Sequence, residues 1–238
     1  ANPQELAKMI QAQGAVFGTY AEGAYTQFLQ SGHPALVTAQ QFAGWTQKAL
    51  SKKMIKEMNQ LYGSFPGKYM ATDDGKLAVA RLQFGNVALL PQVMAGVGGD
   101  SFKIVHGTDQ APPYTYVASY LWARYGFSAD ALIHFGTHGS LEYTPRKQVA
   151  LDSNDWSDRL IGVVPHLYIY TIGNVGEAMI AKRRTYAQTQ SYLTPPFKES
   201  ELRQTYKQLS DAIQSYEKKA SAEQSLKVKA LTVKMGIA

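Results

Sequence analysis

The amino-acid sequence predicts a mixed α/β domain flanked by amphipathic helices. Two apolar runs of strand length, Ala131-Leu132-Ile133 and residues 167–172, alternate with segments of helical periodicity. A loop with two histidines and a glutamate follows the first run, and ligands of α/β sheets bind at the carboxyl ends of the strands. The 238 residues, 45% hydrophobic and 18% charged, are enough to bury a substantial core.

Helix signals dominate the N-terminal part of the chain. Asn2-Pro3-Gln4-Glu5 supplies a cap, a first-turn proline and a capping-box glutamate for a helix that runs to about Gln13. Thr38 and Gln41 form a second capping box and predict one helix that continues to Leu61. The apolar stripe of this helix is predicted to face the core and comprises Met54, Met58 and Leu61.

The middle and C-terminal parts alternate strands and helices. Residues 77–90 are predicted to form a strand or hairpin interrupted at Gly85-Asn86. Residues 113–125 predict an aromatic-rich helix, which is either a packed core helix or an aromatic wall against a flat ligand. Residues 175–184 predict a short helix whose free N-terminal amides suit an anion. Residues 199–219 predict an amphipathic helix with one apolar packing face.

The turn-rich residues 63–75 indicate a subdomain boundary. We therefore expect three regions: residues 1–75 as a helical N-terminal subdomain or as part of the same domain, an α/β core over 76–197, and a C-terminal amphipathic helix and tail over 198–238. The glycine-rich loop 96–99 lacks the lysine and the serine or threonine of a P-loop. ATP is therefore not expected to bind to this chain through such a loop.

The segment from His134 to Glu142 is the part of the sequence best suited to chemistry, because it holds two imidazoles, a carboxylate and two glycines. The glycines argue against a helix, so His134 and His138 are not the same-face pair of the zinc proteases. Two structural alternatives remain open here. A strand-end histidine commonly bonds a backbone carbonyl, and Glu142 has Arg146 four residues later as a partner for an ion pair.

Composition excludes several functional classes. The absence of cysteine excludes disulfides, thiolate metal sites and iron–sulfur ligation within this chain. No apolar run reaches the roughly 18 residues of a membrane span, and the N-terminus lacks a signal-peptide pattern, so a cytoplasmic location is expected. The net charge is +6, but Lys182-Arg183-Arg184 is the only compact basic run, which argues against nucleic acid as a partner.

From His134 to Glu142 the sequence resembles the HxGTHGxLE signature of the large subunits of cobaltochelatase (CobN type) and magnesium chelatase (H type). Further segments extend the resemblance collinearly over roughly residues 80–197. They include Phe84-Gly85-Asn86-Val87, Pro112-Pro113-Tyr114, Tyr120-Leu121-Trp122, Pro165-His166-Leu167-Tyr168, Asn174-Val175-Gly176-Glu177 and Leu193-Thr194-Pro195-Pro196. Because a collinear series is more specific than a single motif, the sequence is identified as a member of this family.

The resemblance implies part of an enzyme, the large tetrapyrrole-binding subunit that inserts a divalent metal, Co²⁺ or Mg²⁺, into a macrocycle. In this family separate AAA+ subunits hydrolyse ATP. The implied partners are therefore the tetrapyrrole substrate, the ATPase subunits and the remaining domains of the full-length subunit. Because family subunits are several times longer than 238 residues, we expect this chain to be an excised piece that is inactive alone.

Metal insertion requires a metal ligand, a proton acceptor and contacts for the peripheral carboxylates of the macrocycle. We expect His138 and Glu142 to act as transient metal ligand and proton acceptor, with His134 orienting or supplementing them. We expect Glu177 to line the same cavity. Because cationic side chains bind carboxylates, the candidates for contacts with the substrate are Arg146, Lys182, Arg183 and Arg184. Two further candidates for substrate binding are equally compatible with a structural role: His106 and His166.

The sequence departs from the family pattern after Glu142, where Tyr143-Thr144-Pro145-Arg146-Lys147 replaces the usual Trp-Leu-Pro-Gly-Lys. This departure keeps a second interpretation open, a CobN-like haem dechelatase that releases iron, as Fe²⁺, from haem. A third interpretation is a non-catalytic domain that binds tetrapyrrole or assembles the complex, with structural histidines. Loss of turnover, rather than of binding, on changing Glu142 separates both enzymes from the carrier.

Overall fold

The computed structural model describes residues 2–13, 32–93, 110–136, 140–145, 151–169, 175–191, 201–218 and 220–234. The chain divides into two compact units, Ala1–Tyr192 and Leu193–Ala238. Helices and short strands alternate along the first unit, which confirms the predicted mixed α/β class.

The first unit carries helices α1 to α6 and strands β1 to β7. The helices are α1 Pro3–Gln13, α2 Ala39–Ala49, α3 Lys52–Tyr62, α4 Tyr114–Leu121, α5 Trp156–Ile161 and α6 Val175–Thr185. The strands are β1 Ala35–Val37, β2 Leu77–Val79, β3 Leu82–Phe84, β4 Val87–Leu89, β5 Leu132–Phe135, β6 His166–Ile169 and β7 Gln188–Gln190. Two irregular helical turns complete the described part of this unit, the π-helical turn Trp122–Gly126 and the 3-10 turn Leu141–Tyr143.

Side-chain caps begin the first two helices as the sequence predicts. At the start of α1, Oδ1 of Asn2 accepts a hydrogen bond of 3.1 Å from the backbone N–H of Gln4. At the start of α2, the Thr38 side chain accepts from the backbone N–H of Gln41, and the Gln41 side chain accepts from the backbone N–H of Thr38. Each cap satisfies helix N–H groups that have no partner within the helix.

The single helix predicted from Thr38 to Leu61 is wrong, because the structure divides it into α2 and α3. Leu50 has extended backbone angles of −109° and 152°, which end α2. Ser51 then begins α3 by accepting a hydrogen bond of 3.3 Å from the Met54 N–H. Serine favours caps over helix interiors because its hydroxyl bonds nearby backbone groups. Met54 is buried as predicted, whereas Leu61 is about half exposed.

Antiparallel pairs join segments on both sides of residues 63–75. Strands β1 and β2 pair with Ala35 opposite Val79. Strands β3 and β4 form the hairpin predicted around Gly85-Asn86. Because β1 precedes residues 63–75 and β2 follows them, the two sides of that turn-rich segment share one sheet.

A parallel sheet in the order β5-β6-β7 carries the site. Leu132 lies opposite His166, and His134 lies opposite Tyr168. Because strand side chains alternate between the two faces, these four residues share the inner face of the sheet. The outer face carries Phe135, of which 85% is exposed. The sheet therefore gathers two histidines and a tyrosine on its buried side.

Helix α4 lies in the main core. All of its residues except Thr115 are buried, including Tyr116 and Leu121, which have no exposed surface. Trp156 of α5 packs in the same hydrophobic cluster. The packed-core alternative for the aromatic helix is therefore the one that the structure favours, and its tyrosine hydroxyls still reach polar partners.

The second unit contributes helices α7 Glu201–Lys218 and α8 Ala222–Lys234 to the described part of the chain. Helix α7 corresponds to the amphipathic helix predicted over 199–219, and it buries Leu209 and Ala212 on one face. Within the described ranges, no helix combines the length and apolar character required to cross a bilayer.

Candidate functional site

The site begins at the carboxyl end of β5. His134 is a strand residue that pairs with β6, and the strand continues through Phe135. The strand therefore extends two residues beyond its predicted end at Ile133, because the parallel ladder also pairs His134 and Phe135. The second half of the motif is described from Ser140, and Glu142 lies in the 3-10 turn Leu141–Tyr143. His138 lies outside the described residues.

Glu142 is a buried carboxylate with a fixed orientation. Only 1% of its surface is exposed. The hydroxyl of Tyr168, on β6, donates a hydrogen bond of 2.8 Å to Oε1 of Glu142. Burial of a carboxylate is costly unless hydrogen bonds compensate, and a bond to a charged acceptor is stronger than a neutral one. Tyr168 therefore both stabilises and orients this carboxylate.

Arg184 holds the backbone of the turn that carries Glu142. Its Nη1 donates to the carbonyl oxygens of Glu142 at 2.7 Å and of Thr144 at 2.6 Å. The side chain is fully buried, and burial lowers the pKa of its guanidinium, opposed by the charges of Asp155 and Glu142. The structure therefore corrects the expectation that Arg184 contacts substrate carboxylates, since its cation bonds the protein backbone.

His134 and His166 form a pair of perpendicular imidazoles on the inner face of the sheet. Their ring centroids are 4.6 Å apart and the ring planes meet at 90°. Nδ1 of His166 lies 3.1 Å from the carbonyl oxygen of Thr185. Nε2 of His134 lies 3.1 Å from the hydroxyl of Tyr120 on α4. The ring of Tyr168 completes the cluster, 5.4 Å from His134 and 6.0 Å from His166 between centroids.

Burial keeps both imidazoles neutral at physiological pH. It lowers the pKa of His134 to about 3, with a smaller contribution from the neighbouring His166. Burial also lowers the pKa of His166, although its hydrogen bond to the Thr185 carbonyl acts in the opposite direction. A neutral imidazole presents one ring nitrogen as a lone pair. The cluster therefore provides neutral nitrogen donors suited to a metal.

Two tyrosines of α4 connect the histidine pair to Ser140 and Gln92. The hydroxyl of Tyr116 is 2.8 Å from Oγ of Ser140, just before the 3-10 turn. The hydroxyl of Tyr120 donates to Oε1 of Gln92 at 3.2 Å. Burial raises the pKa of both phenols, and the charge of Glu142 raises it further. Tyr116 and Tyr120 are therefore neutral hydrogen-bonding groups that face the same interior as Glu142.

The remaining predicted residues lie on α6, outside the described residues, or in the imidazole cluster. On α6, Lys182 and Arg183 are exposed, as substrate contacts require, while Glu177 is half-buried in the first turn. Three candidates lie outside the described residues: His106, His138 and Arg146. His166 is described and buried, and it belongs to the imidazole cluster rather than to the surface.

Sequence patterns alone did not identify the tyrosines that organise the site. Tyr168 follows His166 at the two-residue spacing of a strand face, and this spacing indicates that the two side chains share one side of the sheet. Tyr116 and Tyr120 are four residues apart and share a helix face, which was the corresponding signal in α4. The bond from Arg184 to the Glu142 carbonyl has no counterpart in local sequence spacing, because it joins residues 42 positions apart.

The arrangement places a carboxylate and neutral imidazoles in one buried polar cluster. Among the described residues, no group of three or more histidine, cysteine, aspartate or glutamate side chains has the spacing of a metal site. Structural zinc sites are closed by four protein ligands, whereas sites that bind and release an ion leave positions open. The geometry is suited to transient metal contact and to proton acceptance.

Comparison with known proteins matches this chain to chelatases. The family model described as CobN/Magnesium Chelatase matches residues 1–236. The chain is 41% identical over 163 residues to the H subunit of magnesium chelatase from Rhodobacter capsulatus, which is 68% of this chain and 13% of that relative. It is 39% identical over 128 residues to the CobN component of the aerobic cobaltochelatase from Pseudomonas aeruginosa, which is 54% of this chain and 10% of that relative.

The fold also matches a solved structure, the catalytic subunit of cobaltochelatase from Mycobacterium tuberculosis. The match has a TM-score of 0.62 at 23% identity and covers 99% of this chain and 22% of that chain. At this identity the likeness concerns the fold alone. The family model, by contrast, matches nearly every residue of the sequence. The chain belongs to the CobN/magnesium chelatase family.

Proposed function

We propose that this chain is the part of a chelatase large subunit that exchanges two pyrrole protons of a tetrapyrrole for a divalent metal ion. The buried carboxylate of Glu142, held by the Tyr168 hydroxyl at 2.8 Å, is the observation that carries this proposal. A carboxylate held in this way is a metal ligand and a proton acceptor in one position. Its place in the family motif supports the same assignment.

In the proposed reaction, two N–H bonds of the macrocycle break and the metal gains bonds to the pyrrole nitrogens. Glu142 accepts one pyrrole proton and passes it to solvent, and His138 accepts the other as a neutral imidazole. Either side chain holds the arriving cation before transfer, and His134 orients or supplements them. Glu177 is proposed to line the same cavity. No electron is gained or lost, because the metal keeps its charge while two protons leave.

Cationic side chains near the site are proposed to hold the peripheral carboxylates of the macrocycle. Lys182 and Arg183 are exposed on α6, and Arg146 follows the turn that carries Glu142. Guanidinium groups bind carboxylates through two parallel hydrogen bonds, which favours an orienting role. Arg184 is not included, because its Nη1 bonds backbone carbonyls.

Membership of the family is the basis for proposing the other domains, the partner subunits and the metal substrate of the reaction. The chain spans 13% of the length of the Rhodobacter capsulatus relative, so the remaining domains of the full-length subunit are proposed to complete the macrocycle site. ATP is proposed to be hydrolysed by AAA+ partner subunits rather than by this chain. The metal substrate is proposed to be Co²⁺ or Mg²⁺, and the compartment the cytoplasm.

The test is turnover of the full-length subunit with its ATPase partners. Glu142→Gln and His138→Ala are each expected to lower metal insertion at least about a hundredfold, the lower end of the effect of losing a general base. Glu217→Gln, an exposed change on α7, is the matched control and is expected to retain turnover. The Soret band of the tetrapyrrole reports both metal gain and macrocycle affinity.

Two outcomes would replace the proposal. If both variants keep near wild-type turnover, the loop is structural and a tetrapyrrole-carrying domain is the better assignment. If the wild-type subunit releases iron from haem, again read from the Soret band, and inserts no metal, the family member runs in the opposite direction. Macrocycle affinity is expected to change little in either variant, because apolar walls and cationic contacts supply most of it.

A further inference from the structure

The buried ring of His166 carries a nitrogen lone pair that no described donor reaches. Its Nδ1 lies 3.1 Å from the Thr185 carbonyl oxygen, which only accepts, so the proton of the neutral ring is on Nδ1. Its Nε2 is therefore the unprotonated nitrogen. That atom is buried and has no hydrogen-bond partner in the described part of the chain. Histidines that bind metals usually donate their other ring N–H to a carbonyl or carboxylate, as His166 does here.

His134 has the same arrangement through a different partner. The Tyr120 hydroxyl donates its single proton to Oε1 of Gln92, so Nε2 of His134 donates to the Tyr120 oxygen. This choice of tautomer pairs both hydrogens, whereas the other leaves a buried N–H without an acceptor. Nδ1 of His134 is then the lone-pair nitrogen, and it too is buried without a hydrogen-bond partner among the described residues.

Two such nitrogens in one cluster point to a ligand. A buried polar atom without a hydrogen bond costs about 1–3 kcal/mol, and among the described residues two such nitrogens lie in neighbouring rings whose centroids are 4.6 Å apart. Neutral imidazole nitrogens bind Co²⁺ and Zn²⁺, at about 2.0–2.1 Å for Zn²⁺. We infer that His134 and His166 form a two-nitrogen binding site for a borderline divalent transition metal ion, Co²⁺ or Zn²⁺.

The donor atoms define which ions the site accepts. Neutral imidazole suits Co²⁺, Zn²⁺ and Fe²⁺, whereas Mg²⁺ prefers oxygen ligands and retains its water. Tyr168 connects the imidazole pair to Glu142, because its ring neighbours both imidazoles and its hydroxyl bonds the Glu142 carboxylate. One side chain therefore contacts both the two nitrogens and the carboxylate of the proposed reaction.

This inference deepens the proposed function. It rests on that function for the role of the site, which is to hold the metal substrate before the metal is transferred to the macrocycle. It also specifies the substrate class more closely than the family does, since it selects a transition metal over Mg²⁺. Binding itself requires no turnover, so the site is testable without the macrocycle or the ATPase partners.

The experiment is a Co²⁺ titration of the full-length subunit without tetrapyrrole, read from the visible absorption of nitrogen-coordinated Co²⁺. His134→Ala and His166→Ala are each expected to weaken Co²⁺ binding at least about tenfold, since loss of even an outer-shell partner has an effect of this size. Excess Zn²⁺ is expected to displace the bound Co²⁺, whereas excess Mg²⁺ is not expected to displace it. His33→Asn is the matched control, because His33 is exposed at a φ of 47° that asparagine tolerates.

Tyr120→Phe keeps an aromatic ring in the core and removes only the hydroxyl that orients His134. It is expected to weaken Co²⁺ binding about tenfold, and it decides the question if an alanine variant fails to fold. Co²⁺ binding unchanged in folded His134 and His166 variants, or equal competition by Mg²⁺, would overturn the inference. Co²⁺ on these imidazoles without metal insertion contradicts the proposed function alone, while Glu142-dependent insertion without nitrogen-bound Co²⁺ contradicts the inference alone.

Discussion

The hydroxyl of Tyr168 and the carboxylate of Glu142 form a buried hydrogen bond of 2.8 Å between residues 26 positions apart. Tyr168 lies on strand β6, and Glu142 lies in the 3-10 turn that follows β5. The parallel pairing of the two strands brings the phenol to the turn. Tyr168 on β6 therefore orients the carboxylate of Glu142, which lies in the turn after the neighbouring strand β5.

Tyr168→Phe is expected to lower turnover of the full-length subunit about tenfold or more. The change removes one charge-assisted hydrogen bond, worth about 1.5–3 kcal/mol, and leaves the ring in place. Turnover with the ATPase partners, followed through the Soret band, measures the effect. Tyr186→Phe is the matched control, because the Tyr186 hydroxyl bonds Asp158 at an exposed position. Equal turnover of the two variants would contradict an orienting role for Tyr168.

Arg184→Met is expected to lower the free energy of unfolding by at least about 2 kcal/mol. Its loss leaves the buried carbonyls of Glu142 and Thr144 without their donor, and each unpaired group costs about 1–3 kcal/mol. Arg183→Met, an exposed change one residue earlier, is expected to stay within about 0.5 kcal/mol. Urea unfolding compares them. Arg184→Lys is expected to fall between wild type and Arg184→Met, because an ammonium lacks the planar fork.

The metal-free protein is expected to lose stability in mild acid through His134. Its pKa is about 3 in the folded protein and near 6.5 in the unfolded chain, so the unfolded chain binds the proton first. The stabilisation is complete above pH 6.5 and disappears as the pH falls towards 3. The slope is up to about 1.4 kcal/mol per pH unit. His166, Tyr120 and Tyr168 face this ring, and burial lowers the pKa of His166 as well.

Urea unfolding of wild type and of His134→Phe, each at several pH values between about 4 and 8, measures the contribution of His134 to the pH dependence of stability. The interval lies around the reference pKa of roughly 6.5. Wild type is expected to lose stability relative to the variant as the pH falls, since the other titrating groups are common to both proteins. A difference independent of pH would mean that the His134 imidazole has the same pKa in the folded and the unfolded protein.

Met58→Ala and Leu61→Ala separate the core face of α3 from its exposed face. Met58 is 1% exposed and Leu61 is 48% exposed, although the sequence places both on one apolar stripe. Met58→Ala is expected to cost about 2–5 kcal/mol, and Leu61→Ala less than about 1 kcal/mol. The midpoint of urea unfolding checks the difference. Similar costs for both would show that Leu61 packs against a further part of the full-length subunit.

Local sequence signals determined the elements of the fold where one interaction dominates. The capping box of Thr38 and Gln41 begins α2 as predicted. The Gly85-Asn86 turn joins β3 and β4, and residues 199–219 contain α7. The same kind of signal is present at Ser51, where a second cap divides the predicted long helix. Caps and turns act over three or four residues, so the sequence contains the whole interaction.

The chemistry of the site could be predicted from the sequence only in part. The motif from His134 to Glu142 predicted a polar site at a strand end, and the family model assigns the chain to the chelatases. Burial then decided what each side chain does. Arg184 was expected at the substrate and instead bonds the Glu142 backbone. His166 had no preferred role in the sequence and lies 4.6 Å from His134 between ring centroids.

The sequence by itself determined the family, the elements and the identity of a carboxylate and imidazoles suited to metal and proton chemistry. Only the tertiary structure decided which groups share the site, because parallel strands pair residues that are tens of positions apart. His134 lies opposite Tyr168 in that ladder. Spacing along the chain carries no information on such pairs, whereas hydrogen-bond register and burial fix both their partners and their protonation.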